Sequence, residues 1–435
     1  MGKSYRPYYP DEELLLPPSL RDWLPENHLA YFVGDVVDAL DLTAMDAVYG
    51  TEKRGQPPYD PLMMTKILVY GYCVGVFSSR RIERRLVEDI AFRVLAAGNQ
   101  PNFRTISDFR KIHLKTLEGL FEQVLKIALE AGAMKVGRVA VDGTKVKANA
   151  SKHKAMSYDR MKEKEAQLKA EVKDLLAQAA AADAQEDALY GKDHRGDELP
   201  EELQRRESRL KKIREAKKAV EARAKEKAAS EGADPKQAKP KDKDQYNFTD
   251  PESRIMKGGD GFVQAYNAQA AVEADFQLIV GQTVTAAAND KEQLLPMLDQ
   301  VELQSGQRPS EVLADSGYCS EQNLEQMEMA NAGHQVNGYI ATSRQKHGEH
   351  RNPCPRGPLP KTATRVERMR RKLKTKAGKV IYAARKTIVE PVFGQIKQAR
   401  GFRQFLLRGI TKVRAEWSLV CLTHNILKLY RLCHE

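Results

Sequence analysis

Apolar residues recur at helical spacing along the first third of the chain. This spacing occurs over residues 29–40, from Pro61 onwards and from Thr105 onwards, and it predicts helices that bury one face. Asp60 is a favoured N-cap residue and Pro61 suits a first helical turn, so one of these helices is predicted to begin there. Residues 1–132 are therefore predicted to form an all-helical domain.

A short turn over residues 75–79 separates two of the predicted helices. The second of them carries four basic side chains in its first two turns: Arg80, Arg81, Arg84 and Arg85. A helix-turn-helix motif has this arrangement, because its second helix presents N-terminal side chains to the DNA major groove. An ordinary helical hairpin with a solvated basic face has the same pattern, so both interpretations stay open.

The pattern changes from helical to strand-like after residue 135. Val139 and Val141 lie on one side of a predicted strand, and Asp142 lies near its end. The pair Asp142-Gly143 has two interpretations. Asp-Gly between strand-forming residues is a strong hairpin signal. Alternatively, a central strand projects the carboxylate of Asp142 into an active site.

Strand patterns return after residue 260. Residues 262–285 predict a hairpin of two long strands that turn near Ala274 and Asp275. Asp315 directly follows a short, apolar predicted strand. The remaining elements are predicted to be a helix over residues 289–303, that short strand over residues 311–314, a second helix from Ser320 and another short strand over residues 336–341. A loop over residues 351–379 that orders on DNA and a final packing helix over residues 412–432 are predicted to follow.

Three strands, a helix, a strand, a helix, another strand and a terminal helix follow the order of the ribonuclease H-like fold, an α/β architecture with a mixed sheet. In such a sheet Asp142 and Asp315 would lie on neighbouring strands, and Glu390 would reach them from a flanking helix.

Residues 153–244 interrupt this pattern with a Lys-, Glu- and Ala-rich segment. Apolar residues repeat there at intervals of seven, in the pairs Leu168 and Leu175, Leu203 and Leu210, and Ile213 and Val220. This spacing predicts an antiparallel helical hairpin that is partly coiled coil, with disorder over residues 230–244. The predicted catalytic domain is therefore discontinuous, comprising residues 133–152 and 245–435.

Composition excludes several classes of protein. No apolar run approaches membrane-spanning length and the first residues lack a secretory signal, so a cytoplasmic protein without a membrane partner is expected, and binding to DNA would make it nucleoid-associated. The five cysteines are scattered without a CxxC pair, which argues against a disulfide framework or a zinc ribbon. His347, His350 and Cys354 lack an evident fourth ligand for a metal knuckle.

The positive charge is concentrated in one stretch. Residues 361–414 hold 17 Lys and Arg against two acids, an excess of +15, whereas the whole chain carries +12. The rest of the chain is therefore slightly acidic, and the basic stretch predicts a site for a polyanion.

Glu390 is nearly alone as an acid in that stretch. Thr387 and Glu390 have capping-box spacing, or Glu390 is itself the cap and Pro391 the first helical residue. In either case Glu390 and Lys397, seven residues apart, share one helical face. An acid among these cations could hold a divalent metal ion while the cations hold a phosphodiester. The alternative is a capping residue on a solvated helix.

The residues around Glu390 resemble a known signature. Tyr382, Arg385, Glu390 and Lys397 resemble the tyrosine–arginine–glutamate–lysine signature of bacterial insertion-sequence DDE transposases, and VEPVFGQIK is similar to one subgroup with a large helical insertion. Four residues separate Arg385 from Glu390 where the usual pattern has three, so either Arg385 or Lys386 could take the arginine's part. VAVDGTKVKANAS and VLADSGYCS resemble the two aspartate motifs of these enzymes, and residues 57–85 resemble their N-terminal DNA-binding region.

This resemblance implies a catalytic triad of Asp142, Asp315 and Glu390 that binds Mg²⁺, with Mn²⁺ as a substitute. It further implies DNA contacts, here assigned to Tyr382, Arg385, Lys386, Lys397 and Arg400. The expected partners are double-stranded DNA with terminal inverted repeats, target DNA and a second copy of the chain in a homodimer on DNA. The expected function is strand cleavage and strand transfer at the ends of an insertion sequence. The alternatives are a DNA-binding descendant without catalysis and an endonuclease of the same fold.

Overall fold

The computed structural model describes residues 19–48, 57–190, 201–230, 233–258, 261–329, 336–343, 354 and 357–434. His347 and His350 of the metal knuckle considered above lie outside these residues.

The N-terminal region is helical, as predicted. After a 3₁₀ turn at Leu20–Trp23 come α1 (Leu29–Asp38), α2 (Thr43–Asp46), α3 (Pro61–Cys73), α4 (Ser79–Glu88), α5 (Ile90–Leu95), α6 (Phe103–Ile112) and α7 (Leu114–Glu130). Asp60 caps α3 as predicted, because its Oδ1 accepts the backbone N–H of Leu62 at 2.7 Å. α6 begins before the predicted start at Thr105, because Asn102 caps it and its side chain accepts the backbone N–H of Thr105 at 2.9 Å.

β1 (Arg138–Lys147) runs straight through the Asp142-Gly143 pair. Each residue from Val139 to Lys147 is paired with β5 (Gly261–Glu273), with Asp142 opposite Ala270. The hairpin interpretation of Asp-Gly is therefore wrong, because a continuous antiparallel ladder holds both residues extended.

The inserted segment forms a helical hairpin on a small two-stranded base. Its elements are β2 (Ala155–Ser157), α8 (Tyr158–Tyr190), α9 (Glu201–Ser230) and β3 (Gln245–Asn247). Of the tract predicted to be disordered, residues 233–244 are described, and they turn back onto α8, where Tyr158 donates its backbone N–H to the Asp244 carbonyl at 2.8 Å.

The remaining strands complete one mixed sheet. They are β4 (Arg254–Gly258), β5, β6 (Ile279–Thr285), β7 (Glu311–Ala314) and β8 (Asn337–Ile340). The order is β4-β5-β1-β7-β8, and β6 pairs with the half of β5 that β4 leaves free. β5 is antiparallel to β1, whereas β7 and β8 are parallel to it and to each other. The protein thus combines a helical N-terminal region with a mixed α/β sheet.

The C-terminal helices differ from prediction in one stretch. They are α10 (Leu294–Ser305), α11 (Glu321–Met329), α12 (Arg365–Lys374), α13 (Lys376–Gly394) and α14 (Ile410–His434), with a π-helical turn at Gln395–Ala399. Half of the predicted 351–379 loop is helical, because Thr364 and Glu367 form a capping box that starts α12. Thr375 caps α13, and Glu390 follows this cap by fifteen residues. Glu390 therefore lies in the interior of the helix, and neither predicted capping role for it is correct.

The N-terminal helices and the sheet share one apolar cluster. α3 and α7 both pack against α14, whose Trp417 is fully buried and donates its Nε1–H to the Gln269 carbonyl at 3.0 Å. The helical hairpin has a small cluster of its own between α8 and α9. Among the described residues, no helix is both long and apolar enough to cross a membrane.

Candidate active site

Two of the predicted catalytic acids lie side by side in the middle of the sheet, where β7 ends next to β1. β1 and β7 are parallel with Val141 opposite Ala314, so Asp142 and Asp315 are the next residues on adjacent strands. The Asp315 carboxylate accepts the N–H of Gly317 at 2.8 Å and thereby starts a 3₁₀ turn over Ser316–Tyr318. The two carboxylates interact, because the charge of Asp315 raises the pKa of Asp142.

Arg385 joins the third predicted acid to this pair. From α13 its guanidinium contacts the Asp142 carboxylate at 3.1 Å and the Glu390 carboxylate at 3.6 Å. The Arg385 side chain is only 10% exposed, whereas that of Glu390 is 54% exposed. Asp142 and Glu390 are 248 positions apart in sequence, and one arginine links them. The neighbouring Lys386 is exposed, so Arg385 is the basic residue that meets the acids.

The electrostatics of Asp142 reflect this crowding. The pKa of Asp142 is raised to about 6, mainly by burial and in part by the Asp315 charge, and the Arg385 guanidinium opposes both effects. The pKa of Tyr382, which lies beside Arg385, is also raised by burial and lowered in part by that guanidinium. Burial and the neighbouring carboxylate thus disfavour the charged form of Asp142 more strongly than Arg385 favours it.

The donor chemistry of the acids fits a hard divalent cation. Asp142, Asp315 and Glu390 supply only carboxylate oxygens, which Mg²⁺ prefers, and a cation would relieve the repulsion between Asp142 and Asp315. As the side chains stand, no three His, Cys, Asp or Glu residues within the described ranges approach one another closely enough to hold a metal ion. The Arg385 guanidinium lies between the carboxylates of Asp142 and Glu390 and so keeps the two carboxylates apart.

Two of the predicted DNA contacts face the interior of the protein. The Lys397 ammonium donates to the Thr144 hydroxyl and to the Lys145 carbonyl at 2.8 Å, which fixes the π-helical turn against β1. Arg400 is buried and donates to the Thr423 hydroxyl at 2.7 Å. The prediction that Arg400 contacts DNA is therefore wrong, because α14 already binds its guanidinium.

Asp290 is a further acid at the site that sequence reasoning missed. Its Oδ1 accepts hydrogen bonds from the amides of Asn267 at 2.6 Å and Gln269 at 2.7 Å, and the Lys145 ammonium lies 3.6 Å away. A Cβ at Gly143 would lie 2.9 Å from the same oxygen, so the residue after Asp142 must be small. Asp290 lies at the start of the predicted 289–303 helix, where an acid is ordinarily a cap or a first-turn residue, and only the polar Asn267 and Gln269 on one strand face signalled otherwise.

The four arginines of α4 are exposed and lie on a helix away from the acids. Arg84 pairs with Glu88 at 2.7 Å, Arg85 lies 3.4 Å from Asp89, and the Arg80 guanidinium is 5.0 Å from the centre of the Phe103 ring. Ten of the thirteen residues of α3 are buried, so α4 is the exposed member of the helix pair. This arrangement suits both interpretations of the pair.

Comparison with known proteins gives two family matches. Residues 18–112 match the family model described as transposase domain (DUF772), and residues 223–426 match the model described as transposase DDE domain. The second match contains Asp315 and Glu390, whereas Asp142 lies between the two matched segments. No curated protein and no solved structure matches the chain. The two transposase families, matched in succession along one chain, identify it as a member of the insertion-sequence DDE transposases.

Proposed function

We propose that this transposase cleaves DNA strands at the ends of an insertion sequence and joins them to target DNA, with Asp142, Asp315 and Glu390 as its catalytic carboxylates. The observation that carries this proposal is that Asp142 and Asp315 lie next to each other on adjacent parallel strands, and that Arg385 contacts both Asp142 and Glu390. The sheet supports a ribonuclease H-like catalytic domain, because β5 pairs antiparallel with β1 whereas β1, β7 and β8 are successive parallel strands.

Each residue of the site has a distinct part in this function. Asp142, Asp315 and Glu390 would hold Mg²⁺, for which Mn²⁺ could substitute. Bound divalent cations neutralise charge on the attacking and leaving oxygens of a phosphodiester and lower the pKa of water. Arg385 keeps Asp142 and Glu390 in one charge network, and Tyr382 packs beside it. Asp290 fixes the amides of Asn267 and Gln269 behind the backbone of Gly143.

DNA would be held by cations outside this cluster. Lys386 is exposed on α13, four residues before Glu390, and is suited to a phosphate near the site. The exposed arginines of α4 would bind the terminal inverted repeats, as in a helix-turn-helix motif. A homodimer on DNA would bring two ends together.

Cleavage of a labelled duplex that carries an insertion-sequence end tests the triad. We expect Asp142→Asn, Asp315→Asn and Glu390→Gln each to abolish Mg²⁺-dependent strand cleavage while end binding is kept, because each removes a metal ligand. Glu130→Gln is the matched control, since Glu130 is an exposed acid at the end of α7. A triad variant that still cleaves well would remove that residue from the site.

The same assay separates the alternatives. Joining of the cleaved end to a target plasmid is expected of a transposase. Cleavage without joining under all metal conditions would favour an endonuclease. End binding by the wild-type protein without any cleavage would favour a DNA-binding descendant.

A further inference from the structure

The inserted hairpin is a packed element that the proposed chemistry does not use. α8 and α9 bury a common apolar seam, formed by Met161, Leu168, Leu210, Ile213, Ala216 and Val220. Ion pairs tie the two helices together beside it, as the Glu165 carboxylate lies 3.0 Å from Lys217 and 3.5 Å from Arg214. The outer surface of the hairpin is thus carried on two helices fixed against each other.

The charge of the hairpin is concentrated on one helix. Between residues 205 and 227, α9 has eleven basic and four acidic residues, an excess of seven positive charges. Between residues 158 and 178, α8 has five of each and is neutral. A solvated coiled-coil surface has no need of this asymmetry, because charges of both signs keep it soluble equally well.

A groove of about 930 Å³ runs between α8 and α9 on the outside of the hairpin. Val172, Leu176 and Leu210 contribute its apolar lining. Four lysines and Arg214 border it, together with the two acids Glu207 and Glu215. Lys169 and Arg214 are paired with Glu165, which leaves three lysines, Lys173, Lys211 and Lys218. We call these three the groove lysines. None of them forms an ion pair or a hydrogen bond in the described part of the chain.

The spacing of the groove lysines on α9 is regular. Lys211 and Lys218 are seven residues apart and therefore lie on one face at a rise of about 10.5 Å. Lys225 continues the same face by a further seven residues. Other lysines of the hairpin are neutralised, as Lys162 is by Asp242 at 3.0 Å and Lys169 is by Glu165 at 2.8 Å. Unpaired ammonium groups held in a row on a stiff helix suit a ligand with regularly spaced negative charge.

We propose that the groove lysines form a second DNA-contact surface, apart from the catalytic acids, that binds the phosphate backbone of a duplex irrespective of its sequence. This inference rests on the proposed function for its choice of DNA as the polyanion. Lysine binds phosphate as a point charge without base selection, and every phosphate it neutralises releases a counterion. The surface would hold DNA that flanks the strand being cut.

The test compares two triple variants of the full chain for binding to a random-sequence duplex. One is Lys173→Gln, Lys211→Gln and Lys218→Gln. The control is Lys115→Gln, Lys126→Gln and Lys135→Gln, which removes three exposed lysines around α7 and changes the net charge equally. Both are made in an Asp142→Asn background so that DNA stays intact. Because this assay measures binding alone, its result can be interpreted even if the parent enzyme does not cleave DNA.

The expected result is a shallower dependence of log affinity on log salt for the groove variant alone. If all three lysines touch phosphates, the slope falls by about 2.7, at about 0.9 for each phosphate. The control is expected to keep the parent slope. Equal slopes for the parent and the groove variant would overturn the proposal, as would equal losses in both variants.

The apolar lining offers one competing occupant, a second copy of the chain. Leu176 is 45% exposed in the groove, and Leu176→Glu would break such an interface. If sedimentation shows that Leu176→Glu converts a dimer to a monomer while the salt slope of the groove-lysine variant stays at the parent value, the groove is a protein interface and the DNA proposal fails. If the groove-lysine variant loses slope and Leu176→Glu keeps the parent's sedimentation, the proposal stands.

Discussion

Asp142 lies on a central strand where burial penalises its charge. Its side chain is 21% exposed, Asp315 adds repulsion from the next strand, and Arg385 compensates only in part. Such a carboxylate costs stability in the folded protein, yet its charged form is the one that can bind a cation. A site of this kind lowers the stability of the folded protein and raises its affinity for a metal ion.

The pH dependence of stability should reveal this cost in metal-free protein. The folded pKa of Asp142, about 6, lies above its ordinary value of 3.8, so the folded state binds the proton more tightly than the unfolded state. The penalty is therefore full above pH 6 and is relieved as the pH falls towards 4. We expect Asp142→Asn in EDTA to raise the free energy of unfolding at pH 8, by at most about 3 kcal/mol, and to have little effect at pH 4.

Urea titrations at the two pH values check this prediction. The exposed Asp299 provides the control, and Asp299→Asn should change stability little at either pH. A variant Asp142→Asn that is less stable than the parent at pH 8 would mean that the bond to Arg385 outweighs burial.

The catalytic role of the three acids stays a prediction that rests on sequence motifs. The positions of Asp142, Asp315 and Glu390 came from resemblance, and the structure brings these three residues into one region. Asp290 and Arg400 were misjudged because their surroundings are set by tertiary contacts. The Asn267 and Gln269 amides that hold Asp290 lie on a distant strand, and the hydroxyl that binds Arg400 lies on α14. No local spacing reports such partners.

At the scale of elements, α13 contains an unusual interior proline. Pro391 has no N–H and cannot bond the Thr387 carbonyl one turn earlier. The Gln277 side chain, at the turn between β5 and β6, donates to that carbonyl instead at 2.8 Å. A second bond holds Gln277 in place, since its amide oxygen accepts from Lys428 on α14 at 2.8 Å. The proline thus allows the sheet turn to bind the helix that carries Glu390.

A double-mutant cycle tests this substitution of partners. Gln277→Ala should destabilise the protein by about 1 kcal/mol, the usual net value of a hydrogen bond. In a Pro391→Ala background the restored backbone N–H can bond Thr387, so Gln277→Ala should cost less. Urea unfolding of the four proteins gives the coupling energy, and a coupling of zero would show that the two changes act independently.

Elements were predicted well where the pattern had a clear period. β7 has the predicted bounds, and the β5–β6 hairpin follows from its long apolar strands. α12 was missed because prolines, glycines and lysines dominate the composition around it, although Thr364 and Glu367 have capping-box spacing. The start of α13 was placed too late because Pro391 was taken for a first-turn residue. For α12, the loop-like composition was given more weight than the correct capping box. For α13, Pro391 was given more weight than the correct cap at Thr375.

At the scale of the whole molecule, the N-terminal helices pack against the sheet. A boundary near residue 132 is predicted from the change of period, yet the helices and the sheet share one apolar cluster. A buried polar network also crosses between them. The Tyr72 hydroxyl donates to the Glu416 carboxylate at 3.2 Å and accepts from Arg110 at 3.0 Å. Glu416 also accepts hydrogen bonds from the backbone N–H groups of Leu406 and Leu407. Its carboxylate is therefore held by groups from both the N-terminal helices and the C-terminal region.

Because of this network, we expect α3 and α14 to unfold together. Tyr72→Phe removes the hydroxyl that links Arg110 to Glu416 and leaves two buried charged groups short of a partner, which should cost about 1–3 kcal/mol. Hydrogen exchange of backbone amides measures the loss element by element, and protection in α3 and α14 should fall by the same free energy. Tyr158→Phe is the control, because its hydroxyl bonds Glu221 within the hairpin, and only α8 and α9 should lose protection. Loss of protection in α3 with α14 unchanged would show two independently stable domains, and the shared cluster would then be an interface between them.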